Sequence, residues 1–92
     1  MTGPSGAARL SDVARFLLHH RHAPGECRIV FASFKGLDSP LRHRATVASC
    51  RTGGHAIWWT VDAPTEAEAI RLLPFFVAER TTVSQVSDVQ IP

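Results

Sequence analysis

The sequence predicts an α+β domain in which strand, helix, strand, strand, helix and strand follow one another. Three observations predict it. Runs rich in β-branched and aromatic residues, VARFLLHHRH, HAIWWTVDA and TTVSQVSDVQI, alternate with stretches whose apolar residues recur at helical spacing. The first helical stretch is opened by a proline and followed by a glycine, and the second is opened by a capping box. The chain has 92 residues, 45% of them hydrophobic and 20% charged, which suits one small globular core.

Residues 1 to 12, MTGPSGAARLSD, are small and polar with two glycines and a proline, and are expected to form a flexible tail ahead of a single domain at 13–92. In VARFLLHHRH the side chains alternate faces, so Phe16, Leu18, His20 and His22 share one side and Leu17, His19 and Arg21 the other. Apolar residues on both sides predict a sheet covered on both faces. In APGECRIVFASFKG, Pro24 suits a first helical turn, Glu26 the positive end of the dipole and Gly36 the residue past the end. Cys27, Val30, Phe31 and Phe34 form its apolar stripe. Ile29, Val30 and Phe31 would also suit a strand, and the flanking proline and glycine decide for the helix.

LDSPLRHR reads as a basic loop interrupted by proline. ATVASC, RTGG and HAIWWTVDA then read as strand, turn and returning strand, a hairpin. In TEAEAIRLL, Thr65 and Glu68 form the capping box, and Ala69, Ile70 and Leu73 share a side. Pro74 ends or kinks that helix, and PFFVAE completes it irregularly. Valines at 83, 86 and 89 break strict alternation, which predicts a bulge if the last segment is one strand.

This order is that of the ferredoxin-like βαββαβ arrangement, a four-stranded antiparallel sheet with both helices on one face. The arrangement gives a meaning to a symmetry in the sequence. Each of the two cysteines has a histidine five positions away, in HAPGEC and in CRTGGH. His22 would end the first strand and Cys27 would lie in the first turn of the helix. Cys50 would end the second strand and His55 would begin the third. All four then fall at one end of the sheet. Two thiolates and two imidazoles suit tetrahedral zinc, and nickel, cobalt and copper(I) are chemically admissible. His20 and His43 are alternative ligands. A reversible Cys27–Cys50 disulfide would use the same neighbours, while two buried, inert thiols are the plainest alternative.

The formal charge of +2 gives no reason to expect nucleic acid or an anionic membrane as partner, although nine of the ten basic residues are arginine. No run approaches the roughly 18 apolar residues of a membrane span, and the first residues lack the apolar run of a secretory leader. A cytoplasmic protein with reduced cysteines is therefore expected. HAIWWTVD does not match the basic-glycine-aromatic pattern of an RNA-binding sheet, and Arg42, His43, Arg44 and Arg51 read as a solvated loop.

Trp58 and Trp59 are adjacent on one strand, so one must point to each face. The one on the open face predicts a homodimer formed by pairing of two sheets. In this element order, over about residues 13–91, the chain resembles the dimeric α/β-barrel superfamily. Its end, VDAPTEAEAIRLLPFFVAERTTVSQVSDVQIP, is similar in layout to small uncharacterised bacterial proteins, some related to nickel-binding ones. The resemblance implies a homodimer enclosing a pocket. It leaves two functions open. One is a small metal-binding or thiol-sensing protein with ligands His22, Cys27, Cys50 and His55. The other is a monooxygenase- or isomerase-like enzyme acting on an apolar or aromatic small molecule, with His20 or His22 as general base and Trp58 or Trp59 lining the pocket. No organic cofactor is indicated.

Overall fold

A computed structural model describes residues 13–92, so the tail expected at 1–12 lies outside the described residues. The chain runs through β1 (Ala14–Arg21), a 3-10 turn (Pro24–Glu26), α1 (Cys27–Ala32), β2 (Val47–Ala48), a second 3-10 turn (Cys50–Thr52), β3 (Ala56–Ala63), α2 (Glu66–Ile70), α3 (Phe75–Ala78) and β4 (Thr81–Val86). The four strands form one antiparallel sheet in the order β2-β3-β1-β4, which sets β3 between β1 and β2. Among the described residues no helix is long and apolar enough to cross a membrane.

Residues paired across antiparallel strands share a face. Phe16 pairs with Val61, Leu18 with Trp59 and Val83, and His20 with Ile57 and Thr81. This face joins Val30 of α1, Ala69 of α2, Leu73 between α2 and α3, and Val77 of α3 in one core, so all three helices cover the same side of the sheet. The other side carries Arg15, Leu17, His19, Trp58 and Thr60, and no helix of the described chain covers it. The apolar character that predicted a second layer has a local explanation. His19 and Trp58 are register partners, and their rings stack 5.2 Å apart and 4° from parallel, which half-buries both.

Proline and hydrogen bonding explain where the elements are shorter than the sequence predicts. Thr65 caps α2, its Oγ1 accepting the Glu68 amide at 3.1 Å. Pro74 has no amide proton to continue the ladder, so the helix stops before it and α3 starts afresh. The last strand has no bulge: its pairing with β1 is unbroken from His20–Thr81 to Arg15–Val86. Val83 faces the core, Val86 the open side, and Val89 lies beyond the strand. In α1, Val30 is fully buried, but Phe31 of the predicted stripe stays 55% exposed because it borders a cavity instead of the core.

Candidate metal centre

At one end of the sheet β1 runs out into HAPGEC. The His22 amide donates to the His55 carbonyl at 3.0 Å, which ties this segment to the start of β3. Pro24–Glu26 then turns tightly: the Glu26 amide donates to the Ala23 carbonyl at 2.9 Å, and Glu26 Oε1 accepts the Ala23 amide at 3.0 Å. Arg80 holds Glu26 from behind, with Nε 3.5 Å from Oε1. The turn presents Cys27 at the first residue of α1, facing back towards His22.

CRTGGH is built differently, around Ser49. The Ser49 carbonyl accepts the Gly54 amide at 2.8 Å and the Thr52 amide at 3.1 Å, and its Oγ accepts the Ala56 amide at 3.1 Å. Gly53 has φ +89°, a left-handed conformation that costs side-chain-bearing residues energy. Gly54 lies so close to Ser49 that an added Cβ would strike its side chain. His55 itself sits at φ +52°, uncommon for a residue other than glycine, though histidine is among those enriched there. The sequence reading placed Cys50 at the end of one strand and His55 at the beginning of the next. Instead Cys50 opens a 3-10 turn and His55 precedes β3, because the Ser49 turn consumes the hairpin end that would have extended both strands.

The two segments bring one atom each from His22, Cys27, Cys50 and His55 within 4.8 Å of one another. Cys27 Sγ lies 3.3 Å from His22 Nε2 and 3.3 Å from His55 Nδ1, and Cys50 Sγ lies 3.5 Å from His22 Nε2. Zinc bonds of about 2.3 Å to sulfur and 2.0–2.1 Å to nitrogen, at tetrahedral angles, put N and S ligands about 3.6 Å apart and two S ligands about 3.8 Å apart. The three N–S separations lie within about 0.3 Å of such an edge, while the four atoms as a group are spread within 4.8 Å. His22 is buried and the other three are half-buried, so a bound ion would be largely screened from water.

His20 enters the site from behind. It is fully buried, with Nε2 3.0 Å from His22 Nδ1 and Nδ1 3.3 Å from the Val77 carbonyl. A carbonyl can only accept, so His20 carries its proton on Nδ1. The Thr81 hydroxyl gives its proton to the same carbonyl at 2.7 Å, leaving its oxygen to face His20 Nδ1 at 3.3 Å. His20 Nε2 therefore accepts from His22 Nδ1–H, and the His22 Nε2 lone pair is left pointing at the two sulfurs. Burial holds the pKa of both histidines below the ordinary imidazole value, the Val77 hydrogen bond opposing this at His20 and the neighbouring His55 adding to it at His22. Burial first, and then Cys27, hold the Cys50 thiol above its ordinary value. A ligand histidine whose second ring nitrogen is fixed in this way is the usual partner of a protein-bound metal.

The residues that the sequence grouped as lining a pocket, His20, Trp58 and Trp59, fall in different places, and Trp59 lines a cavity. His20 is enclosed in the core, Trp59 packs in the core beside Phe34, and Trp58 is on the opposite face. His20 has both ring nitrogens engaged by protein groups. His43, an alternative ligand by sequence, lies away from the four in the wall of a cavity of about 410 Å³ with Trp59 and the basic loop. The sequence reading expected Trp58 or Trp59 to line a pocket between sheet and helices; Trp59 lines this cavity, and the basic rim from LRHR is the part that reading left out. Comparison with protein-family models, with curated proteins and with solved structures gives no match to this chain.

Proposed function

We propose that this domain binds one transition-metal ion through His22 Nε2, Cys27 Sγ, Cys50 Sγ and His55 Nδ1, and that the ion acts as a clasp at the end of the sheet. The observation that carries this reading is the convergence of four donor atoms, two sulfur and two nitrogen, from segments distant in sequence. The donor set and the N–S separations suit zinc best, with nickel, cobalt and copper(I) as competitors. Four protein ligands leave no open coordination position, which favours a structural or sensing role over a catalytic one. The clasp joins the end of β1, the start of α1 and the β2–β3 turn, in a domain small enough to benefit from it.

The ferredoxin-like reading belongs to the same proposal. It is supported by β3 lying between β1 and β2 and by helices on a single face. So is the pairing of two copies across the open face, where Val47 is 70% exposed beside half-buried Trp58. Sedimentation tests that element, and a monomer at every concentration removes it.

The metal reading is tested by elemental analysis of protein purified without a histidine tag, followed by loading with zinc, nickel and copper(I) in turn. One equivalent of zinc retained after desalting is expected, and Cys27→Ala or Cys50→Ala should each abolish retention. Retention of no metal sinks the proposal. A pair of thiols that purifies metal-free and closes to a disulfide under mild oxidation would turn it towards thiol sensing.

A further inference from the structure

Between α1, the loop that follows it and the outer half of the sheet lies the cavity of about 410 Å³. Its size is at the lower end of the 300–1,000 Å³ typical of small-molecule sites. The floor and one wall are apolar, formed by Phe31 and Phe34 from the α1 segment, Leu41 from the loop and Trp59 from β3. Phe31, 55% exposed, is a large aromatic surface left to water at the mouth. The rim is of one sign: Lys35, Arg42 and Arg44 stand around it, His43 lies between the arginines, and no carboxylate lines the cavity. None of these three cations forms an ion pair with a carboxylate among the described residues, where the ion pairs involve Arg15, Arg71 and Arg80. Asp38 reaches only an adjoining recess that shares Arg42 and His43.

We propose that this cavity binds a small organic acid, a carboxylate on an aromatic or medium-length aliphatic body. The body lies against Phe31, Phe34 and Trp59, and the carboxylate faces Arg42 and Arg44. Arginine's planar fork suits a carboxylate at a partly dehydrated rim better than a solvated ammonium does. An apolar floor under a cationic rim selects both properties at once. A neutral apolar molecule leaves the cations unpaired, and a simple inorganic anion leaves Phe31 wet. The site shares none of the four candidate ligands with the metal centre.

The test uses the full chain carrying Trp58→Phe, a change on the opposite sheet face that leaves Trp59 as the sole tryptophan. Phenylpropionate and octanoate are titrated against phenylpropanol and octanol, read by Trp59 fluorescence and by amide shifts in nitrogen-15 spectra. The acids should bind about tenfold more tightly than the alcohols, the size expected of a hydrogen bond to a charged group. Their shifts should centre on Phe31, Phe34, Lys35 and Trp59. Arg42→Gln with Arg44→Gln should erase the preference for acids and leave the alcohols unchanged, while Phe31→Ala should weaken both. Equal binding of acid and alcohol overturns the proposal, as do shifts centred elsewhere or no shift up to the solubility of the acids. Shifts of the same residues on dilution without ligand would assign the cavity to a second copy of the chain and also overturn it.

Discussion

The two ends of the α1 region solve opposite problems with similar material. At its start, Cys27 meets three side chains whose donor atoms converge within 4.8 Å. Beyond its end, Lys35, Arg42 and Arg44 are spread around an apolar floor. Convergence of neutral donors and thiols on one point suits a single ion. Dispersion of like charges around a greasy recess suits a molecule with a body and a head. The backbone shows the same contrast. The corner is built from short turns whose amides and carbonyls are paired through Ser49, Ala23 and His55, whereas the rim rides on a long irregular connection from α1 to β2. Rigidity has been placed where geometry must be held to fractions of an ångström.

The largest break in this comparison is removal of the clasp. An ion that binds only the folded chain, supplied at a thousandfold excess over its Kd, adds about 4 kcal/mol of stability. Stripping it should lower the melting temperature by roughly 15–30 °C for a domain of this size. Calorimetry of zinc-loaded and chelator-treated protein reads this, and the Cys50→Ala protein should show no difference between the two conditions. Next comes His20→Gln. It removes the group that fixes the His22 ring, and zinc affinity should fall by about 10–100-fold by analogy with other outer-shell partners. Competition with a chromophoric chelator measures it, and an unchanged affinity would reduce His20 to a core residue.

Gly54→Ala tests the rigidity of the corner directly. The new methyl group would collide with Ser49, whose carbonyl and hydroxyl organise the turn that presents Cys50 and His55. A cost of about 1–3 kcal/mol in denaturant unfolding is expected, with weakened zinc binding. Gly25→Ala, in the opposing turn, meets no atom within 4 Å and should change neither. Equal behaviour of the two variants would contradict the close approach at Gly54.

Much of this was legible in the sequence because it depends on order and spacing. Alternation in β1 separated Phe16, Leu18 and His20 from Leu17 and His19, and the capping box at Thr65 and Glu68 located α2. The corner followed from topology, since HAPGEC and CRTGGH become neighbours only if the first and third strands pair. What was not legible depends on three-dimensional closure. His20 and His22 share a strand face, yet only the Val77 carbonyl behind His20 decides which of them offers a lone pair to the site. The strand ends around Cys50 and His55 were misplaced because Ser49, an ordinary residue in sequence, captures three backbone amides. Phe31 carried the same helical signal as the buried Val30, and periodicity cannot distinguish a core from a cavity wall.

A smaller effect is expected from pH. The His22 pKa is held low by burial, so at neutral pH it is already an unprotonated ligand and gives up no proton on loading. Cys50 is held high by burial and by Cys27, so its thiol is protonated at neutral pH and must lose that proton to bind metal. Apparent affinity should therefore rise with pH by at least about tenfold, or roughly 1.4 kcal/mol, per unit through the neutral range. Calorimetric titrations in buffers of different ionisation enthalpy count the protons, and a count of zero would mean that Cys50 is not a ligand.

The smallest effect, and the one that most sharply separates the two ends, belongs to the rim. Arg44→Gln removes an exposed cation that forms no ion pair with a described carboxylate, and surface changes of this kind stay within about 0.5 kcal/mol of neutral. Stability and zinc retention should be unaltered. If Arg44→Gln instead loosens the metal, the loop after α1 and the corner before it must move together, and the six residues of α1 would be the element that couples them. By linkage, zinc would then alter the affinity of the cavity for an organic acid by the same factor that the acid alters the affinity for zinc. Titrating phenylpropionate into zinc-loaded and zinc-free protein distinguishes the cases. Equal affinities mean that the two sites are separate in energy as well as in position.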